Sequence, residues 1–188
     1  MIYFSDFKKL INKVGFCGKM WDFFSNFVLE QNKKNFHVSL LIGTYEAKID
    51  AKGRVLVPAS LKKQLGEQET SFVLKRSDFQ FCLELFPMDE WSLVMQKING
   101  LNRFVKENND FIRKFMAGVK MIEIDSVGRM LIPKDLLTFS QIEKDVVFSA
   151  TGNRVEIWDK QRYEQAVYSS PEDFSALAEK VMGGLGNE

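Results

Sequence analysis

The sequence predicts one α+β domain, a pseudo-symmetric β-barrel built from two repeats with pairs of helices on its outside. The stretch IDAKGRVLVPASL, residues 49 to 61, returns at 124 to 136 as IDSVGRMLIPKDL, with seven identities in thirteen positions. Apolar and polar residues alternate before the first copy, which is typical of a half-buried strand, and helical spacing follows each unit. Units of about forty residues bury too little apolar surface to be stable alone, so both copies are expected to share one core.

The composition is that of a globular protein without a strong charge bias. The chain has 188 residues, 45% of them hydrophobic, and a formal net charge of +1. A neutral balance gives no chain-wide attraction to nucleic acid or anionic lipid, so any basic surface must be local. Cys17 and Cys82 have no metal-ligand spacing, and both are expected to be reduced in a cytoplasmic protein.

The leader, residues 1–37, has no uninterrupted apolar run that would make a signal peptide or a membrane span. Phe4, Phe7, Ile11 and Val14 have helical spacing, so an amphipathic helix that docks on a partner or a membrane is one interpretation. We favour a dispensable extension, or upstream sequence translated through a misassigned start codon.

The first unit opens with two strands joined by a turn. TYEAKI alternates, which places Tyr45, Ala47 and Ile49 on one face. In DAKG, Asp50 can accept hydrogen bonds from the next backbone amides and Gly53 can take the positive φ of a hairpin loop. RVLV is predicted to return as the second strand of this β-hairpin.

A short helix and a second hairpin complete the unit. Pro58 ends the strand and suits a helix start, so ASLKKQL is predicted to be a helix that stops at Gly66. SFVLKR and FCLELF are predicted strands with RSDFQ as their turn. RVEIW at 154–158 matches CLELF at 82–86, which extends the repeat.

Two helices are predicted between the units, with a break near Asn99-Gly100, and a helical tail is predicted after the second unit, from Asp159 and again after Ser170-Pro171. The apolar stripes of the central helices are expected to be core or subunit interface; they comprise Trp91, Val94, Met95, Ile98, Phe104, Phe111 and Phe115. The predicted organisation is the leader, a first repeat with its helical pair at 41–117, a second repeat with its helical tail at 118–182, and a disordered tail at 183–188.

Each copy has a strand, then the pattern D-x-x-G-R, then alternating apolar residues and P-x-x-L. This arrangement resembles the DNA-binding hairpin of AbrB-type transcription factors. Two copies separated by a helical pair resemble the MraZ family, over about residues 41 to 182. The resemblance implies a swapped-hairpin, double-split barrel and a homo-oligomeric ring. It further implies binding to short direct repeats in double-stranded DNA upstream of its own operon in the division and cell-wall gene cluster, often as a repressor.

The candidate DNA-binding residues surround the turns. Arg54 and Arg129 follow the turn glycines, where their guanidinium groups suit phosphate oxygens or guanine edges. In the first hairpin, Lys48 precedes the turn and Lys52 and Gly53 lie within it, and all three are further candidates. The resemblance adds two lysines after the helix-starting proline, Lys62 and Lys63.

The second copy has Val127 in place of the turn lysine and Leu137-Thr138 in place of the lysine pair, so the first hairpin is predicted to be the principal DNA reader. Residues 44 to 87 carry seven cations against six anions, whereas 119 to 159 carry five against seven. So few cations per subunit predict that useful affinity requires several subunits on tandem sites.

Each assignment has a structural alternative. Asp50, Asp125 and Gly128 are interpreted as residues that shape the turns. Arg54 could pair with Asp50 across the turn, although an exposed pair contributes only about 0–1 kcal/mol and we favour DNA contact. Arg129 could likewise either contact DNA or pair within its turn. Lys62 and Lys63 could contact DNA or simply form the solvated face of a short helix.

Catalysis has little support in the sequence, because the single histidine, His37, lies in the leader and no catalytic, cofactor or metal motif is present. Glu84 and Glu156 recur at matching positions and are expected to face solvent. The prediction is a cytoplasmic, nucleoid-associated transcriptional regulator without a cofactor or a membrane partner. The rival hypothesis is a ring-forming protein-interaction scaffold that binds DNA only incidentally.

Overall fold

A computed structural model describes residues 40–66, 69–168 and 171–183. The predictions for the leader, including Cys17 and His37, and for the chain after residue 183 lie outside these residues. The first repeat and the helical pair after it contain the following elements: β1 (Leu41–Lys48), β2 (Arg54–Leu56), α1 (Ala59–Leu65), β3 (Ser71–Arg76), β4 (Leu83–Pro87), α2 (Met88–Asn99) and α3 (Lys106–Phe115).

The second repeat follows the same order of elements. Proline precedes the short helix in both repeats, at Pro58 and Pro133, and both helices have seven residues. The elements are β5 (Lys120–Glu123), β6 (Arg129–Leu131), α4 (Lys134–Ser140), β7 (Asp145–Gly152), β8 (Val155–Asp159), α5 (Lys160–Val167) and α6 (Pro171–Met182). The predicted helices and their break after Asn99 are confirmed. None of the helices within the described residues is long and apolar enough to cross a membrane.

Six strands form one antiparallel sheet in the order β1-β7-β8-β4-β3-β5, and β2 pairs with β6 in a separate two-stranded ribbon. The predicted α+β fold built from two repeats is therefore confirmed. The predicted barrel is not, because β1 and β5 are the two edges of the six-stranded sheet and the sheet is not closed.

The strands on either side of each turn pair with strands of the other repeat rather than with each other. β1 pairs with β7 along its whole length, β5 pairs with β3, and β2 pairs with β6. Between β1 and β2 only a bridge of Ile49 with Val55 lies beside the turn, and Ile124 and Met130 make the matching bridge. The prediction that TYEAKI and RVLV form a ladder with each other is therefore wrong beyond the turn, whereas the β3-β4 hairpin is confirmed.

The main core lies between one face of the six-stranded sheet and the layer made by the β2-β6 ribbon, α1 and α4. Both repeats contribute equally placed residues, so neither has a complete core of its own. Fully buried members include Val55, Phe72, Leu74, Leu85, Met130, Leu136 and Phe148. Tyr45, Ala47 and Ile49 pack against this core, which confirms the predicted face of β1.

The other face of the sheet is covered in part by the helical pair. Trp91 on α2 packs on Phe86 of β4 and stacks with Phe115 of α3 at a centroid distance of 5.9 Å. These residues are core, as one of the two interpretations predicts. Phe104, in the connection between the helices, is instead fully exposed.

A buried ion network lies beneath α3. The Lys75 side chain is only 1% exposed, and its Nζ lies 3.0 Å from Asp78 Oδ2 and 3.3 Å from Glu84 Oε2. It also lies 4.5 Å from the centroid of the Phe115 ring. Glu84 accepts a second contact from Arg154 Nη1 of the other repeat, at 3.3 Å. This network therefore links the two repeats through one carboxylate.

The prediction that Glu84 and Glu156 face solvent is wrong for Glu84, which is 5% exposed. The two lie opposite each other on β4 and β8. Glu156 is half-buried and accepts a hydrogen bond from Trp158 Nε1 at 2.9 Å. Alternation correctly puts both on the face away from the main core, but α2 and α3 cover that face where Glu84 lies.

Candidate nucleic-acid interface

The first turn is built around the carboxylate of Asp50. Its Oδ1 accepts hydrogen bonds from the backbone amides of Lys52 and Arg54, both at 2.9 Å. Its Oδ2 accepts a hydrogen bond from Nε of the Arg54 side chain at 2.7 Å and forms an ion pair with Nη2 at the same distance. The Gly53 amide donates to the Asp50 carbonyl oxygen at 2.9 Å, and Gly53 has φ +82°. The aspartate therefore fixes both the loop and the direction of the arginine.

The second turn repeats this geometry. Asp125 Oδ1 accepts from the amides of Val127 at 2.9 Å and Arg129 at 2.8 Å, and Oδ2 accepts from Arg129 Nε at 3.0 Å. Gly128 has φ +88°. The interpretation of the two aspartates and Gly128 as turn-shaping residues agrees with this arrangement in both copies.

These hydrogen bonds hold both carboxylates in the ionised form. The Arg54 backbone amide, and then its guanidinium group, lower the pKa of Asp50 from 3.8 to about 2. The Arg129 backbone amide is the main cause that lowers the pKa of Asp125. Each arginine at neutral pH therefore faces a full negative charge that orients it.

The alternative in which Arg54 pairs with Asp50 is the arrangement observed, and Arg129 pairs with Asp125 in the same way. The ion pair with aspartate leaves other N–H donors of the arginine free to bind a ligand. A guanidinium group has five N–H donors, and Arg54 contacts its aspartate through the Nε edge alone. Both arginine side chains are about two-fifths exposed, at 40% and 42%. The outer edge of each group therefore remains accessible to an acceptor outside the protein.

The β2-β6 ribbon joins the two turns into one surface. Its register pairs Arg54 with Leu131 and Leu56 with Arg129, so the two arginines are diagonal neighbours, about 7–8 Å apart at Cα. The ribbon is extended at both ends, because the amide after β2, of Val57, donates to the Gly128 carbonyl oxygen at 2.9 Å. The equivalent amide after β6 donates to the Gly53 carbonyl oxygen, also at 2.9 Å. Each turn is thus anchored to the strand of the other repeat.

The ribbon has one buried and one outer face. Val55 and Met130 are 0% and 1% exposed and point into the main core. Their neighbours along each strand point the opposite way because side chains alternate in a strand. The outer face therefore carries both arginines and two leucines, Leu56 and Leu131.

Lys62 lies beside the second turn, although in sequence it follows the first. A Cβ placed on Gly128 would lie 3.8 Å from Lys62 Nζ, whereas one placed on Gly53 would lie 3.3 Å from Leu137 Cδ1. The interleaved pairing of the repeats causes this exchange. The first turn therefore has Lys52 and Arg54, and the second has Lys62 and Arg129. The sequence prediction assigned Lys62 to the first hairpin, because the cross-repeat pairing is not visible in a repeat pattern.

The other candidate lysines are more loosely held. Lys48 is 74% exposed at the end of β1, where its Nζ lies 3.9 Å from Asp145 Oδ1. The Lys52 side chain is exposed at the tip of the turn, and Lys63 is exposed on α1. Lys48 and Lys63 therefore lie at the border of the surface, whereas Lys52 belongs to its first turn.

The described residues contain no group of three or more His, Cys, Asp or Glu side chains that could hold a metal ion. Cys82 is a free, buried thiol, and burial raises its pKa to about 12. A thiol with so high a pKa stays protonated and unreactive at neutral pH.

Comparison with known proteins gives a consistent family. The family model named MraZ protein, which is described as antitoxin-like, matches twice, at residues 40–114 and 115–183. Transcriptional regulator MraZ of Christiangramia forsetii is 60% identical over 144 residues, which is 76% of this chain and 93% of that protein. The protein of the same name from Flavobacterium psychrophilum is 58% identical over 152 residues, 80% of this chain and 97% of that protein. That of Caldanaerobacter subterraneus is 40% identical over 142 residues, 76% and 96%. All three are named as regulators and not as enzymes.

Proposed function

We propose that this chain, which belongs to the MraZ family, is a transcriptional regulator that binds double-stranded DNA in a sequence-specific manner through the β2-β6 ribbon. The observation that carries the proposal is the joining of both turns on one outer face, with Arg54 and Arg129 at its centre and Lys52 and Lys62 at its two ends. A two-stranded ribbon fits the major groove, which is about 12 Å wide. The proposed site is nucleoid DNA upstream of the protein's own division and cell-wall operon.

The proposed role of each side chain depends on whether other residues fix its orientation. Asp50 and Asp125 hold the guanidinium groups in one orientation, so less conformational entropy is lost when the outer edges meet a base or a phosphate. Lys52 and Lys62 act as flexible phosphate contacts at the two ends. Lys48 and Lys63 add long-range attraction at the border.

Self-association is the second part of the proposal. Four central cations give one subunit only modest affinity, whereas linked subunits on tandem repeats gain about 10²- to 10⁴-fold from effective concentration. Both edges of the sheet carry exposed apolar residues, Ile42 on β1 at 61% and Met121 on β5 at 67%. An edge strand with exposed apolar residues can join another chain, although the backbone of β1 at Ile42 already exchanges hydrogen bonds with the Gln64 side chain. A homo-oligomeric ring would cover them and present several ribbons.

Fluorescence anisotropy of labelled DNA tests the proposal. The probe is the region upstream of the protein's own gene, compared with a shuffled duplex of equal composition across a salt series. The native duplex is expected to bind tightly and to weaken steeply with salt, because phosphate contacts release counterions. Equal affinity for both duplexes would instead favour the interaction-scaffold hypothesis.

Substitutions then locate the binding surface. Arg54→Ala is expected to weaken binding to the native duplex and to reduce the salt slope by about 0.9 if it removes one phosphate contact. Arg113→Ala is the matched control, because it removes the same charge from α3, where the side chain is 76% exposed and pairs with Asp110. If both variants lose the same affinity, the ribbon is not the DNA-binding surface.

A further inference from the structure

Two exposed leucines lie at the centre of the cationic ribbon. Leu56 is 55% exposed and Leu131 is 53% exposed, and the register places each directly opposite an arginine of the other strand. Their inward neighbours Val55 and Met130 already supply the ribbon's contribution to the core. Burial inside this chain therefore does not account for large apolar side chains on the outer face.

Each leucine has one end of its side chain near a turn glycine. A Cβ on Gly128 would lie 3.7 Å from Leu56 Cδ1, and a Cβ on Gly53 would lie 3.7 Å from Leu131 Cδ1. Each leucine thus lies near the turn glycine of the other repeat. The result is a small apolar patch with a turn arginine on either side of it.

The charges around the patch indicate what covers it. A second copy that used the same face would bring Arg54, Arg129, Lys52 and Lys62 against their own counterparts, and like charges across an interface oppose association. A polyanion that also carries apolar groups matches the patch. Duplex DNA is such a partner, because thymine exposes its 5-methyl group in the major groove, where apolar side chains contact it.

We infer that Leu56 and Leu131 read DNA sequence by contacting thymine methyl groups in the major groove, between the bases or phosphates held by the two arginines. The inference rests on the proposed function and adds to it a source of specificity that carries no charge. Because the two leucines are related by the pseudo-symmetry of the ribbon, one subunit would read two thymines, one with each repeat.

Replacing thymine by deoxyuridine tests the inference without changing the protein. The duplex from upstream of the gene is prepared in both forms, which differ only in the methyl groups. Wild-type protein is expected to bind the deoxyuridine duplex about threefold to fourfold more weakly for each contacted methyl, or about tenfold for two, since a buried methyl contributes about 0.8 kcal/mol. The salt slope is expected to stay the same, because no charge is lost.

The variant Leu56→Ala/Leu131→Ala completes the test. It is expected to bind the two duplexes with equal affinity and to keep the wild-type salt slope. Leu177→Ala is the matched control, because that leucine is 57% exposed on α6 and lies outside the ribbon. The control is expected to retain the full discrimination between the duplexes.

Four outcomes would overturn the inference. If wild type binds the native duplex through Arg54 but does not distinguish deoxyuridine, the leucines do not read methyl groups while the proposed function stands. If the double variant still distinguishes the duplexes, the altered shape of the DNA is the cause. If the double variant instead changes the particle size measured by light scattering, with the discrimination intact, the patch is a contact between copies. Absence of any specific DNA binding would reject both proposals.

Discussion

Replacing Lys75 by methionine is expected to destabilise the protein strongly, because it breaks the buried ion network. The lysine Nζ lies within 3.3 Å of Glu84 Oε2, and their side chains are 1% and 7% exposed. Without the lysine, Glu84 keeps only Arg154, whose Nη1 lies 3.3 Å away and whose side chain is 39% exposed. Methionine fills the space of the lysine stem, so the change tests charge more than packing.

The magnitude follows from these partners. Removing one member of a buried pair costs about 3–5 kcal/mol when the other is left without a counter-ion. Because Arg154 still neutralises part of the charge on Glu84, we expect a loss of about 2–3 kcal/mol for Lys75→Met. With a urea dependence of about 2 kcal/mol per M, the unfolding midpoint falls by about 1–1.5 M.

Urea unfolding followed by circular dichroism measures the change. All variants must be compared at one protomer concentration, since self-association contributes to apparent stability. Lys120→Met is the matched control, because Lys120 pairs with Asp135 at the surface and is 39% exposed. That control is expected to shift the midpoint only slightly, as exposed pairs contribute little.

A double variant decides whether the charges act as a pair. Lys75→Met/Glu84→Leu replaces both by apolar groups and leaves Arg154 able to reach solvent, so it is expected to be more stable than either single variant. The reasoning is refuted if the single variants lose less than about 0.5 kcal/mol, or if their losses simply add in the double variant.

Three further predictions concern the turns and their cations. Gly53→Ala is expected to lower the thermal unfolding temperature more than Gly152→Ala. Both glycines have a positive φ, 82° and 90°, which costs an alanine about 1–2 kcal/mol, but only at Gly53 would the new Cβ also lie 3.0 Å from a backbone oxygen. Equal losses of stability in the two variants would contradict this. Lys62→Ala is expected to reduce the salt slope of DNA binding by about 0.9, and Lys63→Ala to reduce it less. A larger effect of Lys63→Ala would mean that Lys63, and not the lysine beside the second turn, makes the phosphate contact. The pKa of Asp50 is about 2 in the folded protein and ordinarily 3.8, so this carboxylate stabilises the fold at pH values above 3.8, and that stabilisation is lost as the pH falls towards 2. Asp50→Asn is therefore expected to flatten the pH dependence of the unfolding midpoint between pH 4 and 2. An unchanged slope in the variant would argue against the turn hydrogen bonds.

Local elements of the fold were predictable from the sequence because their signals are local. The helix ASLKKQL has the predicted bounds, Ala59–Leu65, and SFVLKR is strand β3. Asp50 and Gly53 form the turn that their side-chain and backbone chemistry requires. These features depend on residues within a few positions of one another.

Strand partners were not predictable in the same way. Alternation along β1 fixes which face is buried but does not say which strand lies beside it. The residue pattern alone therefore did not predict the exchange of partners between repeats, which only the family resemblance implied as swapped hairpins, and the position of Lys62 beside Gly128 was not predicted. Burial of Glu84 was not predicted, because alternation along β4 does not show that the two helices that follow this strand fold back over its polar face.

The pairing of β1 with β7 delays part of folding while the chain is being synthesised at the ribosome. Leu41 pairs with Gly152, so strand β1 must wait for 111 further residues before its partner exists. At about 5–20 residues per second, that delay lasts about 6 to 22 s. During this interval the nascent β1 can pair with β7 of another chain whose own β1 has not yet paired, because the same ladder forms in either case. Chains translated side by side on one message are thus able to exchange halves, and a dimer made in that way would contain every strand pairing of the monomer.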